Sequence, residues 1–208
     1  MIALIDYDMG NLFSVTRAFE FCGEKPVIVS RPEELRKFDA AVLPGVGNFG
    51  DGMAHLEKYG FIPELLDFAA SGRPLLGICM GMQMLLESSE EAPGVPGLGL
   101  IGGRVRRFPG GSNEKIPQIG WNVMRFSGKI PPLFSGMPDG GWFYFVHSYY
   151  AEVDSAADVI GVTDYIVPNY ASAVGRGNIF GVQFHPEKSQ RRGLDIIANF
   201  IGMANAQK

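Results

Sequence analysis

The amino-acid sequence predicts an α/β fold: a central, mostly parallel sheet flanked by helices on both faces, with additional antiparallel or mixed strands in the C-terminal half. Three observations carry this. Short, continuous apolar runs recur up to Ser89, the pattern of strands buried on both faces. Segments with apolar residues at helical spacing separate them. Beyond Ser89 the texture changes to aromatic, strand-like pieces punctuated by Gly and Pro.

Taken in order, Ile2–Asp6 (IALID) reads as a short strand ending in the turn DMGN. A helix follows from about Asn11 to Cys22, with Leu12, Val15, Phe19 and Cys22 on its buried stripe, so Cys22 reads as core. Pro26–Ser30 is a second strand. RPEELRKF is a short helix, with Ser30 as N-cap and Pro32 in the first turn. Ala40–Gly45 is a third strand, and a helical stretch covers about Asp51 to Gly72, interrupted near Gly60–Pro63. Pro74–Ile78 is a fourth strand, with a helix from about Gly81 to Ser88. EEAPGVPGLGLIGG is a connection; WNVMRF, WFYFVHSYYAEV, DVIGVTDY, ASAVGRG and IFGVQF are strands joined by turns. The last element, about Ser189 to Ala204, carries Leu194, Ile197, Ala198 and Ile201 at helical spacing. No repeat or linker separates the two textures, so residues 1–208 read as one domain.

The bulk properties narrow the function. The 208 residues are 46% hydrophobic, enough for a sizeable core, and the net charge is −4. The basic cluster Arg104, Arg106, Arg107 is too small to suggest nucleic acid and reads as a solvated face. Cys22 and Cys79 make no disulfide framework, and no Cys/His spacing suits a metal, which points to a reducing compartment. The N-terminus lacks a basic leader, and no apolar run approaches the ~20 residues that span a bilayer. The expectation is a cytoplasmic protein.

Right-handed crossovers would bring the C-terminal ends of the strands to one rim, where such sheets bind ligands. Asp6–Asn11, Pro44–Gly47 and Cys79 all follow strand ends. Cys79 stands in Gly77-Ile78-Cys79-Met80-Gly81, a strand-to-helix turn with the spacing of a nucleophile elbow, Cys replacing Ser. A free thiol of pKa ~8.5 is only a few per cent thiolate at neutral pH. A helix N-terminus and a nearby imidazolium lower that pKa, and the Met80 N–H could hold an oxyanion. The competing reading is a small buried hydrophobe.

A thiol nucleophile needs a base, and the chain has three histidines. His55 reads as a surface residue of a helix, and His147 as a structural histidine of an aromatic strand. His185 ends a strand and precedes Pro186, which keeps it extended. In extended chain residues two apart share a face, so Glu187 could orient one ring nitrogen while the other faces Cys79. The glycine-rich LPGVGNFGDG has neither GK[ST] nor dinucleotide spacing. Its backbone could instead present an N–H to a developing oxyanion.

These residues resemble the class I, or triad, glutamine amidotransferases. The similar stretches are Gly10-Asn11, LPGVGNFG, GICMGMQ, Gly120–Asn122, YFVHSY (Tyr144–Tyr149) and QFHPEKS (Gln183–Ser189), in the family's order along nearly the whole chain. Taken together they look most like the branch that forms glutaminase subunits of imidazole glycerol phosphate synthases.

The resemblance implies a flavodoxin-like arrangement, no cofactor and no metal. It implies that Cys79 attacks the side-chain amide of L-glutamine, with His185, oriented by Glu187, carrying the proton to ammonia. It assigns the oxyanion hole to Val46 and Met80, with the Gly45–Val46 peptide rotating to complete it. It assigns the substrate to Gly45, Gly47, Gln83, Glu91, Ser148 and Tyr149. It also implies a heterodimer with a (β/α)8-barrel cyclase subunit that receives the ammonia, contacted by Asn11, Trp121, Tyr144 and Lys188. One departure stands out: the family usually has Pro-His before Gly120, whereas this chain has Pro117-Gln118, a position expected near the interface. Two alternatives remain at this level: a paralogue feeding ammonia to another synthase, such as one aminating a sugar, and a non-enzymatic α/β module or cysteine peptidase.

Overall fold

The computed structural model describes residues 1–111 and 114–207. Among them, the elements run β1 (Ile2–Ile5), α1 (Leu12–Phe21), β2 (Val27–Val29), β3 (Ala40–Leu43), α2 (Phe49–Lys58), α3 (Phe61–Ala70), β4 (Leu75–Ile78), α4 (Met80–Met84) and β5 (Ser88–Ser89). Then come β6 (Gly103–Arg107), β7 (Gln118–Phe126), β8 (Gly141–His147), β9 (Tyr149–Val153), β10 (Val159–Thr163), β11 (Tyr170–Arg176), β12 (Ile179–Val182) and α5 (Gln190–Asn205).

The strands join one sheet, ordered β2-β1-β3-β4-β12-β11-β10-β7-β8, with β9 on β11 and β6 on β9. From β2 to β12 it is parallel, and beyond β12 the pairing in that order turns antiparallel. The strands β1, β3 and β4 are buried at every residue, as continuous apolar runs require. Alternate side chains feed two cores. Ile2, Leu4 and Val42 pack with Phe19 of α1 and Phe200 of α5; Ala3, Ile5 and Leu43 pack with Phe49, Leu56 and Phe68 of α2 and α3. Among the described residues no helix is long and apolar enough to cross a membrane.

Several expectations are corrected. The segment Pro32–Lys37 is a 3₁₀ helix entered from extended Arg31, with no side-chain cap from Ser30. Asn48, not Asp51, starts α2, its side chain accepting from Asp51 N–H at 2.8 Å. The predicted break falls at Gly60, whose φ of +74° no ordinary side chain adopts readily. The helix expected from Gly81 to Ser88 stops at Met84. There the Leu85 carbonyl accepts from Leu100 and Ile101, and Leu86 from Gly99, so tertiary hydrogen bonds replace the next helical turn. WFYFVHSYYAEV is two strands, broken at Ser148. The basic cluster is itself a strand, β6, with Arg104 and Arg106 paired to Glu152 and Arg106 also to Glu90. Cys22 is only half-buried at the end of α1, its Sγ 3.5 Å from the Leu194 carbonyl.

Candidate active site

The strands β4 and β12 pair side by side in parallel, Val182 opposite Ile78, so the residues that follow them emerge at one rim. Cys79 follows β4 at once, its N–H bonded to the Val182 carbonyl at 2.8 Å. Its φ of +54° marks a strained turn, and its buried side chain lines the cavity at this rim. The flanking glycines make the turn possible. A Cβ on Gly81 would sit 2.0 Å from the Leu43 carbonyl oxygen, and one on Gly77 2.7 Å from Gly81. Met80 opens α4, so its N–H has no partner within the helix.

Across the rim, the 185 backbone is fixed by its N–H to the Tyr144 carbonyl at 2.9 Å and by Ser189, whose hydroxyl donates to the His185 carbonyl at 2.6 Å. His185 Nδ1 lies 2.8 Å from Glu187 Oε1, both side chains almost wholly buried. The expected hydrogen bond therefore forms, although the route differs: Pro186–Lys188 is a 3₁₀ turn rather than extended chain. Burial opposes the His185 imidazolium, but Cys79 and then Glu187 outweigh it and push its pKa up to about 10. His185 Nε2 is buried with no conventional hydrogen-bond partner, which leaves it to the sulfur and to a ligand.

A cavity of about 340 Å³, the size of a small-molecule site, lies over this rim. Cys79, Met80, His185 and Lys188 line it, with Val46, Gly47, Gln83, Glu91, Ser148 and Tyr149. Of the expected site residues, Gly45 and Glu187 stand behind this lining. Gly45 packs so closely that a Cβ would lie 2.6 Å from the Gly81 nitrogen. Glu91 Oε2 accepts from the Phe49 N–H at 2.8 Å, which leaves one carboxylate oxygen for a ligand. The Val46 N–H does not stand free for an oxyanion: it donates to the Met9 carbonyl at 2.9 Å.

The remaining expected residues spread outward. Asn11 caps α1, its Oδ1 accepting from Ser14 N–H at 3.3 Å. Trp121 on β7 faces Tyr144 on β8, ring centroids 6.1 Å apart, and is 44% exposed. Lys188 is exposed, its Nζ 5.9 Å from the Tyr144 ring. Gln118, expected near the interface, has its surroundings defined by the fold. It is buried beside the core, opposite His147, and accepts from the Tyr170 hydroxyl at 2.9 Å. His147 has its side chain satisfied within the fold, as expected of it: burial first, and the nearby His185, lower its pKa to about 4, and its Nδ1 donates to the Tyr149 carbonyl at 2.7 Å, but it also lines the cavity. His55 is less of a surface residue than expected, its Nδ1 3.0 Å from the Tyr7 carbonyl.

Sequence reasoning missed Pro117, Val146 and His147 as cavity lining, and Gln183, whose Nε2 lies 3.7 Å from Cys79 Sγ. A glutamine two residues before His185, on the face of a strand that runs beside the cysteine's, was the available signal. Among the described residues no cluster of three or more His, Cys, Asp or Glu side chains could hold a metal.

The family profile of class-I glutamine amidotransferases matches residues 3–203. A protein of Chlorobium chlorochromatii, named imidazole glycerol phosphate synthase subunit HisH, is 47% identical over 200 residues, covering 96% of this chain and 98% of its own. A protein of the same name from Sulfurimonas denitrificans is 48% identical over 208 residues, 99% of both chains. Among solved structures, a glutamine amidotransferase superposes with TM-score 0.77 at 18% identity, covering 99% of this chain and 100% of its own. PurLQS from Thermotoga maritima gives 0.77 at 21%, over 100% and 98%; at such identities the likeness concerns the fold. Sequence match and fold agree: the chain belongs to the class-I glutamine amidotransferase family.

Proposed function

We propose that this chain is the glutaminase subunit of an imidazole glycerol phosphate synthase, hydrolysing L-glutamine to glutamate and handing ammonia to a (β/α)8-barrel cyclase subunit. The observation that carries the chemistry is the convergence of Cys79 and His185 at the ends of paired strands, with Glu187 2.8 Å behind the imidazole. Residues 1–208 act as one domain in this reading. In the cytoplasm the thiol would stay reduced, as the chemistry requires.

The steps follow from the groups present. Glutamine lies in the cavity with its carboxamide over the sulfur and its α-ammonium toward the free oxygen of Glu91. Gly45, Gly47, Gln83, Ser148 and Tyr149 shape the remaining contacts. The Cys79 thiolate attacks the amide carbon, and the oxyanion takes the Met80 N–H. Imidazolium His185, held by Glu187, gives its proton to the departing nitrogen. Ammonia leaves, a glutamyl thioester remains, and water activated by His185 releases glutamate.

A second oxyanion donor would have to come from Val46, whose N–H is engaged with Met9. One missing donor costs about 10²–10³ in kcat, so breaking that single bond serves as an on switch. Support for a partner comes from the outer face of the β7–β8 hairpin. Ile119, Trp121 and Trp142 are 63%, 44% and 58% exposed there, an apolar surface that extends toward Lys188, whose Nζ lies 5.9 Å from the Tyr144 ring. A closed interface keeps ammonia unprotonated, hence nucleophilic.

The test is glutamate release from glutamine by the wild-type chain and by Cys79→Ala, each alone and with a barrel cyclase subunit carrying its nucleotide ligand. Activity that needs both Cys79 and the partner is expected. Glutamate release by Cys79→Ala would overturn the chemistry, and full activity of the lone chain would overturn the gating. Stimulation only by a sugar-aminating synthase would favour the paralogue.

A further inference from the structure

The sulfur of Cys79 has a neighbour outside the triad. Gln183 is wholly buried at the end of β12, and its Nε2 lies within N–H···S range of Cys79 Sγ, at 3.7 Å. Its orientation follows from a chain of partners. The Tyr149 carbonyl can only accept, so Gln83 turns Nε2 toward it, at 3.2 Å. The second hydrogen on that nitrogen goes to Gln183 Oε1 at 2.9 Å. With its oxygen so engaged, Gln183 has only its NH₂ group to offer the sulfur. Flipping Gln183 alone would set two NH₂ groups against each other in a buried site, and flipping Gln83 would set two oxygens against each other.

We propose that Gln183 is a further catalytic residue of the thiol site, an N–H donor that stabilises the Cys79 thiolate and fixes its direction of attack, with Gln83 as its positioning residue. This rests on reading Cys79 as the nucleophile. A neutral thiol accepts hydrogen bonds weakly and has an outlet for its own proton in the Val146 carbonyl, 3.9 Å away. A thiolate accepts strongly, so a fixed N–H donor favours the charged form. His185 lies across the rim and carries a proton that must leave with ammonia. Gln183 cannot lose its donor in the reaction, so it stays on the sulfur while His185 is deprotonated. The backbone bond from Cys79 N–H to the Val182 carbonyl keeps the two side chains in register.

The experiment measures alkylation of Cys79 by iodoacetamide against pH, read by mass, in the full-length wild type and in Gln183→Met, Gln183→Glu and Gln83→Leu. Thermal unfolding of each identifies the variants that fold. The other titratable groups about the sulfur, His185 with Glu187 and the Tyr7 phenol, are unchanged in all of them. In Gln183→Met the alkylation midpoint rises by about one pH unit and the rate below it falls about tenfold. In Gln183→Glu, which places a like charge at the sulfur, the rise is larger. In Gln83→Leu, which frees the Gln183 amide to turn, it is smaller but in the same direction. A Gln183→Met profile that superposes on wild type overturns the assignment. Should both Gln183 variants fail to fold, an unchanged Gln83→Leu profile does the same. Glutamate release by Cys79→Ala is scored separately, so failure of the nucleophile reading and failure of the Gln183 assignment give different results.

Discussion

Nδ1 of His185 stands 2.8 Å from Oε1 of Glu187, with only Pro186 between them and both side chains shut away from water. Nδ1 must carry a hydrogen to face a carboxylate, which leaves Nε2 to exchange the proton in the reaction proposed above. Glu187→Gln preserves shape but removes the charge that holds the imidazolium. Glutamate release at saturating glutamine, with the partner present, is expected to fall by about 10²–10⁴, and by at least as much in His185→Asn. Wild-type turnover in Glu187→Gln would remove this carboxylate from the mechanism.

Two histidines should give thermal stability a maximum near neutral pH. His185 has its folded pKa raised from 6.5 to about 10, so its stabilisation is whole below pH 6.5 and drains away as pH climbs through 10. His147 has its pKa lowered from 6.5 to about 4, so the unfolded chain takes up a proton the fold refuses, and stability declines as pH drops from 6.5 to 4. Melting temperatures across pH 4–10 check both limbs. His185→Asn should flatten the alkaline limb and His147→Asn the acid one.

Gly81→Ala should damage fold and activity together. Its Cβ would fall 2.0 Å from the Leu43 carbonyl oxygen, and backbone on both sides leaves no side chain to give way. A loss of about 3 kcal/mol or more is expected in urea unfolding, at the upper end of overpacking costs. Gly202→Ala, in the exposed part of α5 with open space around it, is the control and should be neutral or slightly stabilising.

The bond from Val46 N–H to the Met9 carbonyl predicts a slow enzyme when the chain is alone. Val46→Pro removes this N–H altogether. It should leave the lone chain's low glutaminase rate nearly unchanged while cutting the partner-stimulated rate by about 10²–10³. Equal stimulation of the variant and wild type would show that this N–H never reaches the oxyanion.

Trp121→Ala and Lys188→Ala should weaken association with the proposed cyclase subunit while sparing the melting temperature, since both side chains reach solvent. A buried aromatic anchor is worth roughly 2 kcal/mol or more at an interface, so Trp121→Ala is expected to raise the dissociation constant at least tenfold by calorimetry. An unchanged constant in both variants would move the docking face elsewhere.

The parallel half of the sheet was legible because β1, β3 and β4 are buried on both sides and therefore apolar throughout. Cys79 and His185 were legible because each needs special local chemistry, glycines around one and a proline after the other. What escaped depended on distant partners. The end of α4 is decided by hydrogen bonds from Leu100 and Ile101, and β6 carries its arginines on either side of buried Val105, where Glu152 on the paired strand β9 and Glu90 meet Arg104 and Arg106. Gln118 faces inward because Tyr170, fifty-two residues on, supplies its hydroxyl. Gln183 read as part of a strand, since only the pairing of β12 with β4 sets it beside the sulfur.

That pairing has a bearing on how errors in folding would show themselves. If β12 slid past β4 by a single residue, every side chain on it would change sides, and the imidazole would face away from the sulfur while the sheet stayed intact. Turnover of this protein therefore doubles as a gauge of strand alignment, able to report a misthreaded population that bulk spectroscopy would count as native.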